Sequence, residues 1–165
     1  MPHFGYSEPV PLFPLHVGRG ETGISRISIG NPLDGSGWIR DDRDPLIREA
    51  LSQLAAYFAG KCRSFDLPLE VEGTRFQLDV WKALLKIPYG QIRTYGELAR
   101  EFGRPTLARA IGGANHANPI PIIIPCHRVI ATGGELGGYV SGLDRKRYLL
   151  ELEDALSAIA MSAPA

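Results

Sequence analysis

The segment Ile120-Pro-Ile-Ile-Ile-Pro-Cys-His-Arg-Val129 organises the rest of the chain. Residues 122–124 are three isoleucines, an apolar run too short for a helix, which predicts a buried strand or an extended core segment. Pro125 lacks a backbone N–H and fixes φ, so regular structure is expected to stop there. The sequence therefore predicts that Cys126 sits on a rigid element at the floor of a pocket.

Cys126 is the candidate nucleophile of this segment. An ordinary cysteine has a pKa of about 8.5 and is mostly protonated at neutral pH, so it needs a nearby base or cation to react. His127 and Arg128 are candidates for both roles. Without further information, a cysteine in an apolar run is about as often a small buried hydrophobic residue, and both interpretations stay open at this point.

The cysteine and histidine spacing argues against a metal site. The chain has two cysteines, Cys62 and Cys126, far apart in sequence, and its four histidines show no CxxC or HxxxH spacing. We therefore predict no bound metal. We also predict no disulfide, because a Cys62–Cys126 bond would remove the free thiol.

Length and composition indicate a globular protein. A chain of 165 residues with 44% apolar residues can form one core or two small packed subdomains. No apolar run approaches the roughly 20 residues of a membrane span, and no signal peptide is recognisable, so we expect a cytoplasmic location with reduced thiols. The formal net charge is zero, which argues against a strongly electrostatic, nonspecific nucleic-acid binder.

The first part of the chain predicts a small α/β unit. Strands are expected at Leu12 to Val17 and at Ile24 to Ile29. Asp44-Pro45 has the form of an N-cap followed by proline at the first helical position, and apolar residues then repeat at helical spacing until Gly60. Residues 65–71 alternate between apolar and polar or proline residues, as in a half-buried edge strand.

Two capping boxes organise the second part. Thr74-Arg-Phe-Gln77 begins a helix in which Trp81 is most simply a core residue, and Thr94-Tyr-Gly-Glu97 begins a short helix that extends through Phe102. A turn at 103–105 follows, and Thr106 is expected to cap a second helix running through about Ala114. This order predicts a helix-turn-helix. Further along the chain, Asp144 is expected to cap a last amphipathic helix from Arg145 to about Leu156.

Small residues cover the surface of the second helix of this pair. One interpretation is tight packing against another helix. The functional interpretation is shallow docking in a DNA groove without sequence readout, because the long basic side chains of major-groove readers are missing. Arg109 is the exception, and nearby arginines add local positive charge. The predicted DNA contacts on this surface are the small residues Ala108, Ala110 and Gly112 and the arginines Arg104 and Arg128.

The motifs occur in an order that identifies a family. The string Asn118-Pro-Ile-Pro-Ile-Ile-Ile-Pro-Cys-His-Arg-Val-Ile130 closely resembles the active-site motif of the O6-alkylguanine-DNA alkyltransferases. Further matches are Arg109-Ala-Ile-Gly-Gly113, Gly138-Tyr139 and Arg145-Lys-Arg-Tyr-Leu-Leu-Glu-Leu-Glu153. The resemblance is strong over roughly residues 74 to 153.

The resemblance implies a two-part fold. It predicts an N-terminal α/β domain over 1–73, with a small ribonuclease-H-like three-stranded sheet and a helix. It also predicts a mostly α-helical C-terminal domain over 74–156 that carries the helix-turn-helix and the active site. Residues 157–165 are expected to form a frayed tail.

The resemblance also implies roles for individual residues. Cys126 is the nucleophile, His127 takes its proton through a water molecule, and Glu153 orients His127. Arg109 fills the gap left by an extruded nucleotide, and the resemblance adds Tyr95, Gly96 and Thr132 as DNA contacts. The remaining implied catalytic residues are Asn118, which holds the turn, and Tyr95 and Tyr139, which stabilise the leaving base. The base pocket is expected to consist of Cys126, Val129, Tyr139, Val140 and Ser141.

The implied reaction is direct reversal of DNA damage. A nucleotide carrying O6-alkylguanine, or O4-alkylthymine, is flipped out of duplex DNA, and its alkyl group moves irreversibly to Cys126. A thioether is inert, so each molecule acts once, and no cofactor is required. The expected partner is double-stranded DNA with alkylated bases, bound by a monomer, with cooperation along DNA left open. Val140 is stiff where many relatives have a small residue, which predicts a pocket that favours short alkyl groups.

Three other functions are alternatives to this one. A noncatalytic sensor of alkyl lesions would have another residue in place of Cys126. A helix-turn-helix regulator would carry polar and basic residues on its second helix. A cysteine hydrolase would form an acyl-enzyme and turn over repeatedly.

Overall fold

A computed structural model describes residues 2–7, 14–33, 37–139 and 141–156, without side-chain detail for residues 6 and 7. The chain forms two compact units, Met1–Glu72 and Gly73–Ala165. Within the described ranges, no helix is both long and apolar enough to cross a membrane. The predicted tail at 157–165 lies outside the described residues.

The first unit contains a small sheet and one helix. The four strands are β1 (His3–Ser7), β2 (Leu15–Arg19), β3 (Ile24–Ile29) and β4 (Ile39–Arg40). Their spatial order is β3-β2-β1-β4. β2 is antiparallel to both β1 and β3, and β4 is parallel to β1. The predicted α/β fold is therefore confirmed, and the two-residue β4 adds a short edge strand to the expected three.

Helix α1 (Pro45–Phe58) begins as the sequence predicts. Asp44 accepts a hydrogen bond from the backbone N–H of Ile47, and Pro45 occupies the first turn, where its missing N–H costs nothing. Gly60 follows the helix with a φ of +73°, a conformation that glycine adopts without strain. The buried face of α1 consists of Ile47, Ala50, Leu54, Tyr57 and Phe58.

Two of the strands predicted in this unit differ from the structure or extend beyond the described residues. Residues 65–71 form no strand; their one pairing is an isolated bridge between Leu69 and Ile24. Pro68 interrupts the run, and a proline cannot donate to a ladder of hydrogen bonds. The predicted strand at Leu12 to Val17 begins at Leu15 in β2, and residues 12 and 13 lie outside the described ranges.

The second unit is mostly helical. Trp81 is buried and donates from its indole N–H to the backbone carbonyl of Ala114 at 2.9 Å, which agrees with its assignment to the core. The helices and strands of this unit are α2 (Arg75–Leu85), β5 (Arg93–Thr94), α3 (Tyr95–Glu101), α4 (Ala108–His116), β6 (Val129–Ile130) and α5 (Leu143–Leu152). The two short strands, β5 and β6, pair in parallel.

The two predicted capping boxes are confirmed, and two other predicted caps are wrong. The side chains of Thr74 and Thr94 each accept a hydrogen bond from the backbone N–H three residues ahead. In return, side-chain oxygens of Gln77 and Glu97 accept from the backbone N–H of these threonines. Thr106 is instead inside a 3-10 turn at Pro105–Leu107, and α4 starts without a side-chain cap. Asp144 lies in the first turn of α5 and does not cap it; the N-cap is Gly142, whose φ is +104°.

Candidate active site

The segment before Cys126 is a buried turn and not the predicted strand or extended segment. Residues 120–124 are almost fully buried, as expected, but Ile122 has a φ of +76°, which is unusual for a β-branched residue. Asn118 explains how this turn is held. Its Nδ2 donates to the carbonyl of Ile124 at 2.7 Å, and its Oδ1 accepts from the N–H of Ile120 at 3.0 Å. The side-chain amide thus replaces the backbone pairing that a strand would have provided.

Cys126 begins a single 3-10 turn, Cys126–Arg128, directly after Pro125. It is 1% exposed. Burial raises the pKa of its thiol to about 11, although the Asn118 side chain and the positive charge of Lys146 act in the opposite direction. The thiol is therefore protonated at neutral pH, and the reaction needs a base to remove its proton.

His127 has the geometry of such a base. Its Nε2 lies 2.7 Å from Oε2 of Glu153, and both side chains are fully buried. Burial lowers the pKa of His127, against the effect of Glu153, so the imidazole is neutral. A carboxylate only accepts hydrogen bonds, so the imidazole proton lies on Nε2. Nδ1 then carries the lone pair, and it has no hydrogen-bond partner among the described residues.

Glu153 is the centre of a buried polar cluster. Arg128 donates to both of its carboxylate oxygens, at 2.8 and 3.0 Å, and the N–H of Gly90 donates to Oε1 at 3.1 Å. Burial alone would raise the pKa of Glu153, but the hydrogen bond from His127 and the hydrogen bonds and charge of Arg128 outweigh it and hold the pKa well below its usual range. The carboxylate is therefore ionised at neutral pH.

Arg128 corrects one sequence prediction. It was expected to contact DNA, but it is 6% exposed, and besides Glu153 it binds the carbonyl of Ile87 at 2.6 Å. Each nitrogen of the planar guanidinium donates a hydrogen bond inside the unit, where the group neutralises the Glu153 carboxylate. It is unavailable to a phosphate.

Lys146 is a functional candidate that the sequence analysis missed. Its side chain is fully buried, and Nζ donates to the carbonyls of Val129 at 2.6 Å and Gly138 at 3.1 Å. Burial lowers its pKa to about 8, and the charge of Cys126 acts in the opposite direction. Lys146 thus joins β6 to the glycine-rich loop, residues 132–138, and places a positive charge near the thiol. A lysine between two arginines carries no signal in the sequence that it is buried.

Replacing Lys146 with methionine is expected to slow the reaction of Cys126 with methyl iodide at pH 7 by about 10-fold, the effect of one pKa unit on the thiolate fraction. At this pH, below its own pKa of about 8, the ammonium group is charged and favours the thiolate. The rate of methylation, followed by the mass of the intact protein in a Cys62→Ser background, measures the effect. Arg147→Met, at an exposed position next to Lys146, is the matched control. An unchanged rate in Lys146→Met would contradict the assigned role.

A cavity of about 490 Å³ lies beside this centre. The ring of Tyr95 stands between Gly112 on α4 and Gly137 in the loop, where a Cβ would lie 3.9 and 3.3 Å from ring atoms of Tyr95. Gly112 thus packs against Tyr95 as well as lining the cavity. The lining residues are Tyr95, Ala108, Arg109, Gly112, Asn115, His116, Ala131, Thr132, Gly138 and Tyr139.

The surface beside the cavity carries several residues predicted to contact DNA. Arg109 and Ala110 are exposed on α4, and Arg104 is exposed in the turn before it. Gly96 and Thr132 are neighbours, since a Cβ on Gly96 would lie 2.9 Å from the Thr132 hydroxyl. The structure therefore places Arg109 at the rim of the cavity, with small residues around it.

Comparisons with known proteins decide the family. The family model described as "6-O-methylguanine DNA methyltransferase, DNA binding domain" matches residues 75–155, and the ribonuclease-like domain of the same family matches residues 8–71. A methylated-DNA–protein-cysteine methyltransferase of Methanosarcina acetivorans is 56% identical over 150 residues, covering 87% of this chain and 93% of the relative. The chain belongs to this methyltransferase family.

Two further relatives agree with this membership. The Methanosarcina barkeri methyltransferase of the same name is 50% identical over 151 residues, covering 87% of this chain and 92% of the relative. The crystal structure of Mycobacterium tuberculosis OGT in complex with DNA superposes with a TM-score of 0.85 at 43% identity, covering 99% of this chain and 96% of that one. The similarity to this methyltransferase therefore extends over both units.

The rest of the predicted base pocket is only partly described. Val129 is fully buried, and its carbonyl binds Lys146. Tyr139 is buried beside Cys126, and burial, followed by the charge of Cys126, raises the pKa of its hydroxyl well above the usual value. The side chain of Ser141 is half-buried. Val140, on which the prediction of alkyl-size preference depends, lies outside the described residues.

One further cluster lies in the first unit. His3, Asp41 and Asp44 place one potential ligand atom each within 4.8 Å of one another. Each group already has a protein partner. His3 pairs with Asp41 at 3.2 Å, and Asp44 caps α1 and pairs with Arg19. Helix capping and ion pairing account for this arrangement without a metal ion.

Proposed function

We propose that this methyltransferase repairs DNA by moving the alkyl group of O6-alkylguanine, and of O4-alkylthymine, irreversibly to Cys126. The observation that carries the proposal is the buried Cys126, His127 and Glu153 set beside a cavity with Arg109 at its rim. Membership of the methyltransferase family supports the same reaction. The partner is double-stranded DNA with an alkylated base, bound by a monomer in the cytoplasm, where thiols are kept reduced.

The polar cluster supplies a route for the thiol proton. Glu153 fixes the His127 tautomer, so that Nδ1 is the basic nitrogen, and a water molecule carries the proton from Cys126 to it. The thiolate attacks the alkyl carbon, the bond from that carbon to O6 breaks, and the electron pair stays on the base. The product is a thioether, which no group in the site can cleave. Each molecule therefore reacts once.

The surface around α4 suits DNA that has lost its regular stacking. Arg109 is a long, charged side chain among small residues, so it can enter the duplex and occupy the space of the extruded nucleotide while the surface beside it lies close to the groove. The glycine-rich loop gives the base room to lie flat between Tyr139 and Tyr95. Residues 74–156 hold this machinery in our proposal, and 1–73 form the other domain.

The test of the proposed function is the mass of the intact protein after mixing with a duplex that contains one O6-methylguanine. We expect a gain of roughly 14 Da, one methyl group, mapped to Cys126 and never exceeding one per molecule. Tight binding to the lesion with unchanged mass would instead make the protein a sensor. A released product with continued turnover would make it a hydrolase.

Arg109→Ala is expected to slow alkyl transfer from duplex DNA by about 10- to 100-fold, because extruding a nucleotide costs a few kcal/mol that Arg109 offsets. The rate with the free base O6-methylguanine should not change, since no nucleotide is extruded. Single-turnover rates with both substrates measure the difference. Lys82→Ala, an exposed cation on α2, is the matched control. Equal slowing with both substrates would contradict the role in extrusion.

A further inference from the structure

Asn115 connects two groups of the active site, although no sequence motif marked it. It lies on α4, is 4% exposed and lines the cavity. Its Nδ2 is 3.3 Å from the carbonyl oxygen of Cys126 and 3.5 Å from the hydroxyl oxygen of Tyr95. Its Oδ1 is buried and has no hydrogen-bond partner in the part of the chain that the structure describes.

The Cys126 carbonyl determines which way this amide faces. A carbonyl oxygen only accepts, so the atom opposite it must be Nδ2 and not Oδ1. In this orientation Nδ2 donates to both the Cys126 carbonyl and the Tyr95 hydroxyl. The orientation leaves Oδ1 buried without a partner among the described residues, which is unfavourable. An unsatisfied buried group in a native structure calls for an explanation.

The direction of the Tyr95 proton follows from this contact. A tyrosine hydroxyl has one hydrogen to donate, and here its oxygen accepts from Asn115. The hydrogen is therefore directed away from Asn115, and Tyr95 itself lines the cavity. Burial raises the pKa of Tyr95, against the effect of Asn115, so the hydroxyl keeps its proton and can donate at neutral pH.

We propose that Asn115 is a positioning residue that orients the Tyr95 hydroxyl to donate a hydrogen bond to the departing base. The inference rests on the proposed alkyl transfer. As the bond between the thiolate sulfur and the alkyl carbon forms and the carbon–oxygen bond breaks, negative charge develops on the base. The Tyr95 O–H stabilises this charge without giving up its proton. Asn115 acts through Tyr95 and does not touch the reacting atoms.

A double-mutant cycle tests this coupling. Tyr95→Phe is expected to slow transfer from O6-methylguanine in DNA by about 100-fold, the effect of losing one oriented donor. Asn115→Leu, which is similar in volume, is expected to slow it by about 10-fold. In the Asn115→Leu background, Tyr95→Phe should then add only the remaining factor of about 10. Two losses that multiply fully, to about 1,000-fold, would overturn the proposal.

A second substrate separates positioning from general damage to the site. Methyl iodide also methylates a thiolate, but iodide leaves without help from a hydrogen bond. The rate of Cys126 methylation by methyl iodide should therefore stay within about twofold of the parent in Asn115→Leu and in Tyr95→Phe. A matching loss with methyl iodide would show that the amide merely supports the fold and would overturn the proposal.

If Asn115→Leu does not fold, Asn115→Met removes the same amide with a more adaptable side chain and takes its place in the cycle. Failure of the proposed function is recognised separately, because the parent protein would then gain no methyl group from O6-methylguanine in DNA. Transfer by the parent with a fully multiplicative cycle would refute only the role of Asn115.

Discussion

Cys126→Ser is expected to lose alkyl transfer by on the order of 10⁴-fold or more while still binding DNA that contains O6-methylguanine. A serine hydroxyl is a far weaker nucleophile at neutral pH, and His127 cannot ionise it to a useful extent. The substitution changes little in volume, so the cavity and the surface around Arg109 should persist. The variant would therefore behave as a lesion-binding protein that never completes the reaction.

Transfer and binding must be measured separately for this variant. Intact mass gives the extent of transfer, and titration with a fluorescent duplex gives the affinity with and without the lesion. Cys62→Ser is the matched control, because Cys62 is half-exposed in the first unit and its thiol donates to the carbonyl of Ser64. Methyl transfer by Cys126→Ser at the parent rate would place the nucleophile elsewhere.

Glu153→Gln is expected to lower the free energy of unfolding by about 3–5 kcal/mol, the cost of leaving a buried charge without its partner. The Arg128 guanidinium would keep its charge inside the unit, and His127 would lose the acceptor that sets its tautomer. Alkyl transfer should fall as well, because Nδ1 would no longer be the defined basic nitrogen. Urea denaturation and single-turnover rates at one temperature measure the two effects.

The pH dependence gives an independent check on Glu153. Its pKa is lowered in the folded protein, so between that value and the ordinary glutamate pKa of about 4.3 the unfolded chain binds more protons. Its contribution to stability is therefore complete above about pH 5 and is lost as the pH falls. Glu153→Gln should lose this part of the acid sensitivity. Glu151→Gln, at an exposed position in the last turn of α5, should match the parent protein in both stability and alkyl-transfer rate.

The sequence predicted those features that depend on a few adjacent residues. Asp44, Thr74 and Thr94 were identified as N-caps because a capping side chain bonds to a backbone N–H only two or three residues away. The same reasoning failed at Thr106 and Asp144. In both places the preceding turn determines where the helix starts, and that turn depends on contacts with distant parts of the unit.

The site itself could be predicted only in part. Resemblance to a family paired Glu153 with His127, but local sequence could not reveal that the same carboxylate takes Arg128 out of reach of DNA. Nor could it reveal that Lys146 is buried. The turn at Ile122 was mistaken for a strand because β-branched residues favour strands, whereas here the Asn118 amide supplies the hydrogen bonds. These outcomes depend on pairs far apart in the chain.

The single carboxylate shared by His127, Arg128 and Gly90 restricts how this protein can evolve. Removing Glu153 leaves a buried cation, and removing Arg128 leaves a buried anion, so either single substitution is severely destabilising. A change of both at once can be tolerated far better, because two apolar residues of similar shape need no compensation. Single mutational steps away from this centre should therefore pass through a fitness valley, and lineages that abandon alkyl transfer should lose the pair together.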